Sequence, residues 1–403
     1  MTKFNWLFAF CLILAASPQA IQAQGWFEAD YLFWSRGNDS SRQFIQGSSP
    51  MNSEDFDIGF SNGYRLTVGT ALGDYELEAQ YSKVDGWSDS LSGVLARPLA
   101  LDDDGGNAIV YPAGADSLGF RNGLFDAATF ASQSIISNEQ SESEFLLPGT
   151  VTAGSYTGKL QDFQVNFGTS RTKNWYRFGV GYRNIRIQEG AGFLASGGFN
   201  ALDNNDAAGP GGVAPPVNDP NDGLSHAALT AAGFTNIGGG ADGYDAINPA
   251  VPTLDRISAL FNGQTDNELN GLQLSAAARM VPSEIFEFEV FGRLGLFHNR
   301  ASGGYAELLA GGGTDNSNYL RSFVNDRERG SFGANFGIKG LLNITDYISL
   351  TAGYEVLVLT NIALAPDQIG NVQRDLFGNP HYALNASGLF FGHGGNLGLE
   401  IRW

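Results

Sequence analysis

Asn396-Leu397-Gly398-Leu399-Glu400-Ile401-Arg402-Trp403 alternates without a break. Leu397, Leu399, Ile401 and Trp403 are apolar; the positions between them are polar or glycine. A period of two is the signature of a strand, whose successive side chains point to opposite faces. One oily face and one wet face suit a strand that divides two unlike media.

The same alternation recurs upstream in pairs joined by tight turns. The first strand is near Trp26 to Ser35, with Phe27, Ala29, Tyr31 and Phe33 on one face. Tyr64, Leu66 and Val68 turn at Gly73-Asp74 into Tyr75, Leu77, Ala79 and Tyr81, a hairpin by pattern and by turn chemistry. Phe163, Val165 and Phe167 pair with Tyr176, Phe178, Val180 and Tyr182. Leu272, Leu274, Ala276 and Ala278 turn near Pro282-Ser283 into Phe286, Phe288, Val290, Leu294 and Leu296. Phe332, Ala334, Phe336 and Ile338 turn at Asn343 to Asp346 into Ile348, Leu350, Ala352, Tyr354 and Val356. The count is about ten strands, with twelve allowed if the longest segments hide more.

Long Gly-, Asp-, Asn- and Ser-rich segments separate the pairs, most notably 85–155 and 188–267. Short turns thus alternate with long connections. A compact soluble domain rarely carries structureless connections of that length. A transmembrane barrel has short turns at one rim and long loops at the other. The expected fold is an all-β, antiparallel, up-and-down transmembrane barrel over residues 24–403, with both ends at the short-turn rim.

The start of the chain supplies the address. Lys3 precedes the apolar run Trp6 to Ala16, and small residues lead to a plausible cleavage site after Ala23. Residues 1–23 therefore read as a secretory signal peptide. The only cysteine, Cys11, lies inside it, so the exported part has no thiol or disulfide chemistry. Loss of Lys3 takes the formal charge from -19 to -20, which disfavours a nucleic-acid partner because phosphates are repelled. No later apolar stretch is long enough for a spanning helix, which leaves a closed barrel as the route into a membrane.

Parity predicts the lumen. If the apolar faces meet lipid, Arg65, Glu76, Glu78, Asp162, Arg177, Arg183, Arg279, Glu287, Glu289, Arg293, Lys339, Glu355 and Arg402 point inward. Arg177 and Arg183 with Glu287 and Glu289 are the leading candidates for contacts there. Ten strands lie near the width that side chains fill, so the charges form either a shape-holding ion-pair network or a narrow selective pore.

The terminal octet resembles the C-terminal assembly signal of bacterial outer-membrane barrels through Asn396, Gly398, Ile401 and the final Trp403. The chain also resembles a family of planctomycete β-barrel porins. That likeness rests on Tyr31-Leu32-Phe33-Trp34, Gly63 to Gly69, Thr265-Asp266-Asn267 ahead of Gly271 to Leu274, and Gly353-Tyr354-Glu355. It continues through Thr360-Asn361-Ile362 to Ala365-Pro366-Asp367-Gln368-Ile369. The family usually has an arginine where this chain has Ala365, and a glycine that is missing here. The resemblance implies an integral protein of a Gram-negative outer membrane, with lipid and the barrel-assembly machinery as partners. It implies no substrate and no catalytic residue.

The functional expectation is a narrow porin-like channel for small polar solutes. The alternative is a plugged structural or surface-interaction barrel with acidic outer loops, and an outer-membrane hydrolase is a distant third. His226, His298, His381 and His393 lack metal-ligand spacing. His298 and His393 at strand tops are the only candidates for hydrolytic chemistry, and no triad motif accompanies them. Asp102-Asp103-Asp104 and Asn218 to Gly223 do not match a calcium-loop pattern. Gly238-Gly239-Gly240 and Gly311-Gly312-Gly313 follow no strand-to-helix pattern, so no phosphate site is expected. No enzyme activity, cofactor or metal is expected.

Overall fold

The computed structural model describes residues 24–37, 40–100, 116–120, 142–170, 175–203, 223–238, 243–245, 256–280, 283, 285–312, 317–374 and 380–403. The proposed signal peptide and Asp102-Asp103-Asp104 lie outside them, as does nearly all of Asn218 to Gly223. Ten long antiparallel strands form a closed ring: β1 (Gly25–Arg36), β2 (Ser61–Leu72), β3 (Tyr75–Val94), β4 (Val151–Thr169), β5 (Tyr176–Asp203), β6 (Arg256–Met280), β7 (Phe286–Gly312), β8 (Asn318–Asn343), β9 (Ile348–Ile362) and β10 (Gly388–Arg402). Each pairs with its neighbours in sequence, and β10 pairs back onto β1. This is the up-and-down barrel that the alternation predicts. Closure leaves the ring without an exposed edge.

The outer surface of the short-turn half is apolar. Leu272, Leu274 and Leu296 are 66%, 67% and 72% exposed, and Phe178 is 59% exposed. Exposure on that scale, repeated around the ring by Val180, Leu294, Phe336, Leu350 and Ile401, is the outside-in pattern of a barrel in hydrocarbon. Aromatic residues flank the band. Tyr75, Trp175, Tyr176, Phe286, Tyr347 and Trp403 lie at the short-turn rim, and Tyr31, Phe33, Tyr64, Tyr182 and Tyr354 toward the other. Rings with a polar edge favour the membrane–water interface. No described helix is long and apolar enough to cross a membrane; the crossings are made by strands.

The strands run further than their apolar repeat. β5 to β8 contain 28, 25, 27 and 26 residues. A crossing needs only about 9–11. At ~3.3 Å per residue, β5 is about 90 Å long. The segments 85–155 and 188–267, read as loops, are therefore partly strand. β3 continues to Val94 and β4 starts at Val151, while β5 reaches Asp203 and β6 starts at Arg256. The connection between β7 and β8 is short, because both strands climb through the Gly- and Asn-rich stretch around it. Composition masks these extensions because they stand in water on their outer side, so that face carries Gly, Ser, Asn and Gln.

Their inner side is dry. The chain after β1 and the chain after β3 fold over it through small strands at Gln43–Gln46, Met51–Asn52, Leu99–Ala100, Asp116–Leu118 and Glu142–Leu146. Phe44 stacks on Phe193 at 5.4 Å, and Phe120 meets Phe261 edge-on at 5.0 Å. Such aromatic pairs each add about 0.5–1.5 kcal/mol beyond the area they bury. Among the described residues, small strands and aromatic side chains thus pack over the outer end of the barrel as an outer compartment.

Candidate functional site

The lumen has two storeys. The lower one, toward the short turns, is charged. Glycines on the inward faces leave room for large side chains in both storeys: inward positions on β10 include Gly398 opposite Asp30 of β1 in the lower, and Gly394 and Gly392 opposite Trp34 and Arg36 in the upper. Large side chains from one strand lie over the glycines of the next. A Cβ on Gly394 would fall 2.6 Å from the Trp34 ring.

Every inward charge read from parity is enclosed in this storey or its walls. Arg177 bridges Glu76 at 2.7 Å and Glu289 at 2.6 Å. Arg183 forms a two-pronged pair with Asp162, at 2.9 and 2.8 Å. Arg65 sits between Glu355 and Asp30, Arg279 pairs with Glu287, and Arg293 lies 4.0 Å from Glu78. Lys339 reaches Glu28 at 2.6 Å, and Arg402 reaches Glu400 at 2.6 Å and Glu287 at 3.9 Å. The anticipated grouping of Arg177 and Arg183 with Glu287 and Glu289 is thus realised in one contact, Arg177 with Glu289. Arg183 is satisfied by Asp162 on the adjacent strand, a diagonal neighbour that strand alternation alone does not single out.

Of these groups Glu28, Glu78, Arg177, Arg279, Glu287, Glu289, Lys339 and Arg402 surround a vestibule of about 420 Å³ lined also by Gln24, Asp346, Tyr347 and Trp403 at the short-turn rim. Its ceiling is the layer of Asp30, Arg65, Gln80 and Arg293. Above this the lumen is dry. Leu32, Val84, Leu160, Ile185, Ile187, Leu269, Phe297, Leu357, Leu359 and Phe390 converge there, none more than 5% exposed. They come from β1, β3, β4, β5, β6, β7, β9 and β10. On β8 the inward Gly333 makes room for Phe297, whose ring would lie 2.7 Å from a Cβ at that position.

The chain between β9 and β10 completes the dry storey by folding into it. Asn361 takes a left-handed turn at φ 56°, and Ala363, Leu364, Ala365 and Ile369 are fully buried. Polar side chains hold this inward loop. The Asn267 amide donates to the Ala363 carbonyl at 2.8 Å, and its oxygen accepts the Ala363 N–H at 2.8 Å. Asn299 donates to the Asn361 carbonyl at 2.8 Å. Gln368 donates to the carbonyls of Leu364 and Asn385, and its oxygen accepts the Tyr382 hydroxyl, each at 2.8 Å. Ser40 donates to Asp367 at 2.6 Å. Strand parity did not identify Asn267, Asn299 or Gln368 as structural. The short motif Thr265-Asp266-Asn267 meets, at this one place, the neighbouring motifs Thr360-Asn361-Ile362 and Ala365 to Ile369, with 96 positions between Asn267 and Ala363.

The histidines at the strand tops point outward. His298 lies 3.4 Å from Glu328 on the outer wall, and His393 bonds the Tyr354 hydroxyl at 2.7 Å beside Phe60 and Phe391. His226 bonds Tyr319 at 2.9 Å in the outer compartment. Neither His298 nor His393 lines the vestibule.

No protein-family model and no curated sequence matches the chain. Among solved structures it is similar to the outer-membrane protease OmpT of Escherichia coli, at 8% identity and a TM-score of 0.36, over 94% of this chain and 96% of that one. The toluene transporter TbuX of Ralstonia pickettii is similar at 8% identity and a TM-score of 0.21, over 94% and 89%. An anion-selective porin from Comamonas acidovorans is similar at 9% identity and a TM-score of 0.19, over 94% and 99%. These likenesses transfer no activity and no ligand.

Proposed function

We propose that the chain is an integral outer-membrane barrel with a closed lumen, serving as a structural or surface-interaction protein through its outer compartment. The observation that carries this reading is the dry storey. Leu32, Ile185, Phe297, Leu357 and Phe390 meet across the barrel, and the Ala363–Ala365 loop fills the space beside them. A permeating ion would have to leave water in crossing it, at a cost of many kcal/mol. A leader of the export type, read from residues 1–23 of the sequence, and the outward apolar band support the outer membrane as its location, with lipid as its solvent. The β10 strand, through Asn396, Gly398, Ile401 and Trp403, is the segment offered to the assembly machinery. The likeness of the inward loop to planctomycete β-barrel porins belongs to the same proposal, and no catalytic residue, cofactor or metal is assigned.

A narrow channel for small polar solutes is the second reading, favoured by the charged vestibule. Planar-bilayer recording of the purified protein separates the two. The closed reading expects a silent membrane. Reproducible unitary conductance steps from the unaltered chain would overturn it.

A further inference from the structure

On the outer wall, beyond the apolar band, lies a trough of about 700 Å³ that the lumen does not use. Two neighbouring rows of outward residues form it. One row carries Lys159, Gln188, Asp266 and Ser302 on β4 to β7; the next carries Ser88, Thr157, Gly190, Gln264, Gly304 and Val324 on β3 to β8. Gly190 and Gly304 lower the floor, and the bulge at Gly86 opens one end. With strands ~4.8 Å apart, the second row is about 24 Å long.

The lining is polar, carries one cation, Lys159, and one anion, Asp266, and is for the most part unengaged. Among the described residues, the side chains of Ser88, Thr157, Gln264 and Ser302 make no hydrogen bond within the chain, and Lys159 makes no ion pair. Asp266 is already taken by Arg186 and Gln188. Val324 stands 82% exposed at the end of the row. Hydroxyls and amides with one apolar side chain beside them suit the hydroxyls and the C–H face of a sugar. An added peptide strand is disfavoured, because the backbone groups here already belong to sheet ladders on both sides. A phospholipid head group is disfavoured too, because recognition of anionic lipid draws on clusters of about 4–8 basic residues.

Height supplies the occupant. Gln188 is six residues beyond Tyr182, the last aromatic of the band on β5, so the trough begins about 20 Å further along the strand. Strand tilt brings this down to the level where sugars attached to outer-leaflet lipids stand. We infer that the trough binds the oligosaccharide head group of an outer-leaflet glycolipid, with Gln264, Ser302, Thr157 and Ser88 as hydrogen-bonding groups and Lys159 as a contact for an acidic sugar or its phosphate. The inference rests on the membrane reading of the apolar band.

The test uses the full chain in a sugar-free detergent such as lauryldimethylamine oxide. Binding is measured to rough lipopolysaccharide, to its delipidated core oligosaccharide, and to phosphatidylglycerol. Ser302→Trp and Gln264→Trp fill the trough from a half-buried and an exposed position on the outward face; Ser92→Trp, higher on β3, is the control. We expect lipopolysaccharide and free core to bind, each trough variant to lose about tenfold in affinity, and the control to match the parent. Heat-shifted gel mobility verifies that each variant is a folded barrel. The inference is overturned if the free core does not bind, if folded trough variants bind like the parent, or if phosphatidylglycerol binds equally well. A chain that stayed dispersed without detergent would instead overturn the membrane reading itself.

Discussion

Gly25 exchanges both of its backbone hydrogen bonds with Trp403: its N–H donates at 3.0 Å, and its carbonyl accepts the Trp403 N–H at 3.1 Å. This pair is the last rung of the β1–β10 seam. The Trp403 ring also covers Gly25, where an added Cβ would lie 2.6 Å from the indole. Each hydrogen bond contributes about 0.5–1.5 kcal/mol. Deleting Trp403 should therefore destabilise closure by about 1–3 kcal/mol and slow conversion to the heat-resistant band on gels. Trp403→Phe should fold normally. Equal folding of the deletion and the parent would mean the seam does not depend on this rung.

Phe297 is one of the aromatic rings of the dry storey and reaches over Gly271, Gly295 and Gly333 of three strands. Phe297→Ala should cost about 3–5 kcal/mol in unfolding and leave a cavity where the seal was. In planar bilayers it should produce conductance steps where the parent is silent. Phe178→Ala, which removes a ring from the lipid face, is the matched control and should remain silent.

Asn267 fastens the inward loop by donating to and accepting from the same residue, Ala363. Asn267→Leu removes both bonds and leaves the Ala363 backbone groups unsatisfied in a dry setting, at about 1–3 kcal/mol each. The loop should then spend more time out of the barrel. A cysteine at Leu364, in a chain with Cys11 replaced by serine, should react with a bulky maleimide only when combined with Asn267→Leu. Labelling at the same rate with Asn267 intact would refute this anchoring.

Arg321 and Glu307 pair at 2.6 Å in the outer compartment, both buried, with the guanidinium 4.5 Å from the Phe234 ring and donating to the Ala232 carbonyl at 3.0 Å. Burial pushes the Glu307 carboxyl above its usual range, and Arg321 and Tyr305 counter that rise. Because its folded value is raised, this group's contribution to stability is greatest below its unfolded value and is lost as pH climbs through the folded one. Arg321→Met removes the main counterweight and should cost about 3–5 kcal/mol near neutrality. The deficit should shrink in mild acid, where Glu307 takes a proton. Urea titrations of parent and variant at two pH values, read by the fluorescence of the outer compartment, check this; a deficit independent of pH would contradict it.

The membrane-facing half of the fold was legible because lipid and lumen impose opposite demands on successive residues. Phe178 and Arg177, or Phe288 and Glu289, declare their faces by chemistry alone. The dry storey was not legible from that rule, because parity assigns every apolar residue to lipid. Its trace lay in runs where alternation fails: Tyr31-Leu32-Phe33-Trp34, Val356-Leu357-Val358-Leu359 and Phe390-Phe391 are apolar on both faces. Continuous apolar runs in a barrel strand mean that both of its sides are out of water. The wall above the bilayer was hidden for the converse reason. Ser155, Gly190, Gly192, Asn262 and Gln264 carry no alternation on their wet side, so the stretch reads as loop although Phe193 and Phe261 line its inner face. Pairings such as Arg183 with Asp162 depend on register, which no single strand discloses.

The vestibule joins the aqueous space on the short-turn side, so its ion pairs sit at the electrical potential of that compartment. On the closed reading, any voltage across the bilayer drops over the dry storey that begins at Leu32, Ile185 and Phe297 rather than over the whole barrel height. A local field concentrated there would act on a charge placed at Leu32 and leave one placed at Gln80, in the ceiling beneath, almost untouched.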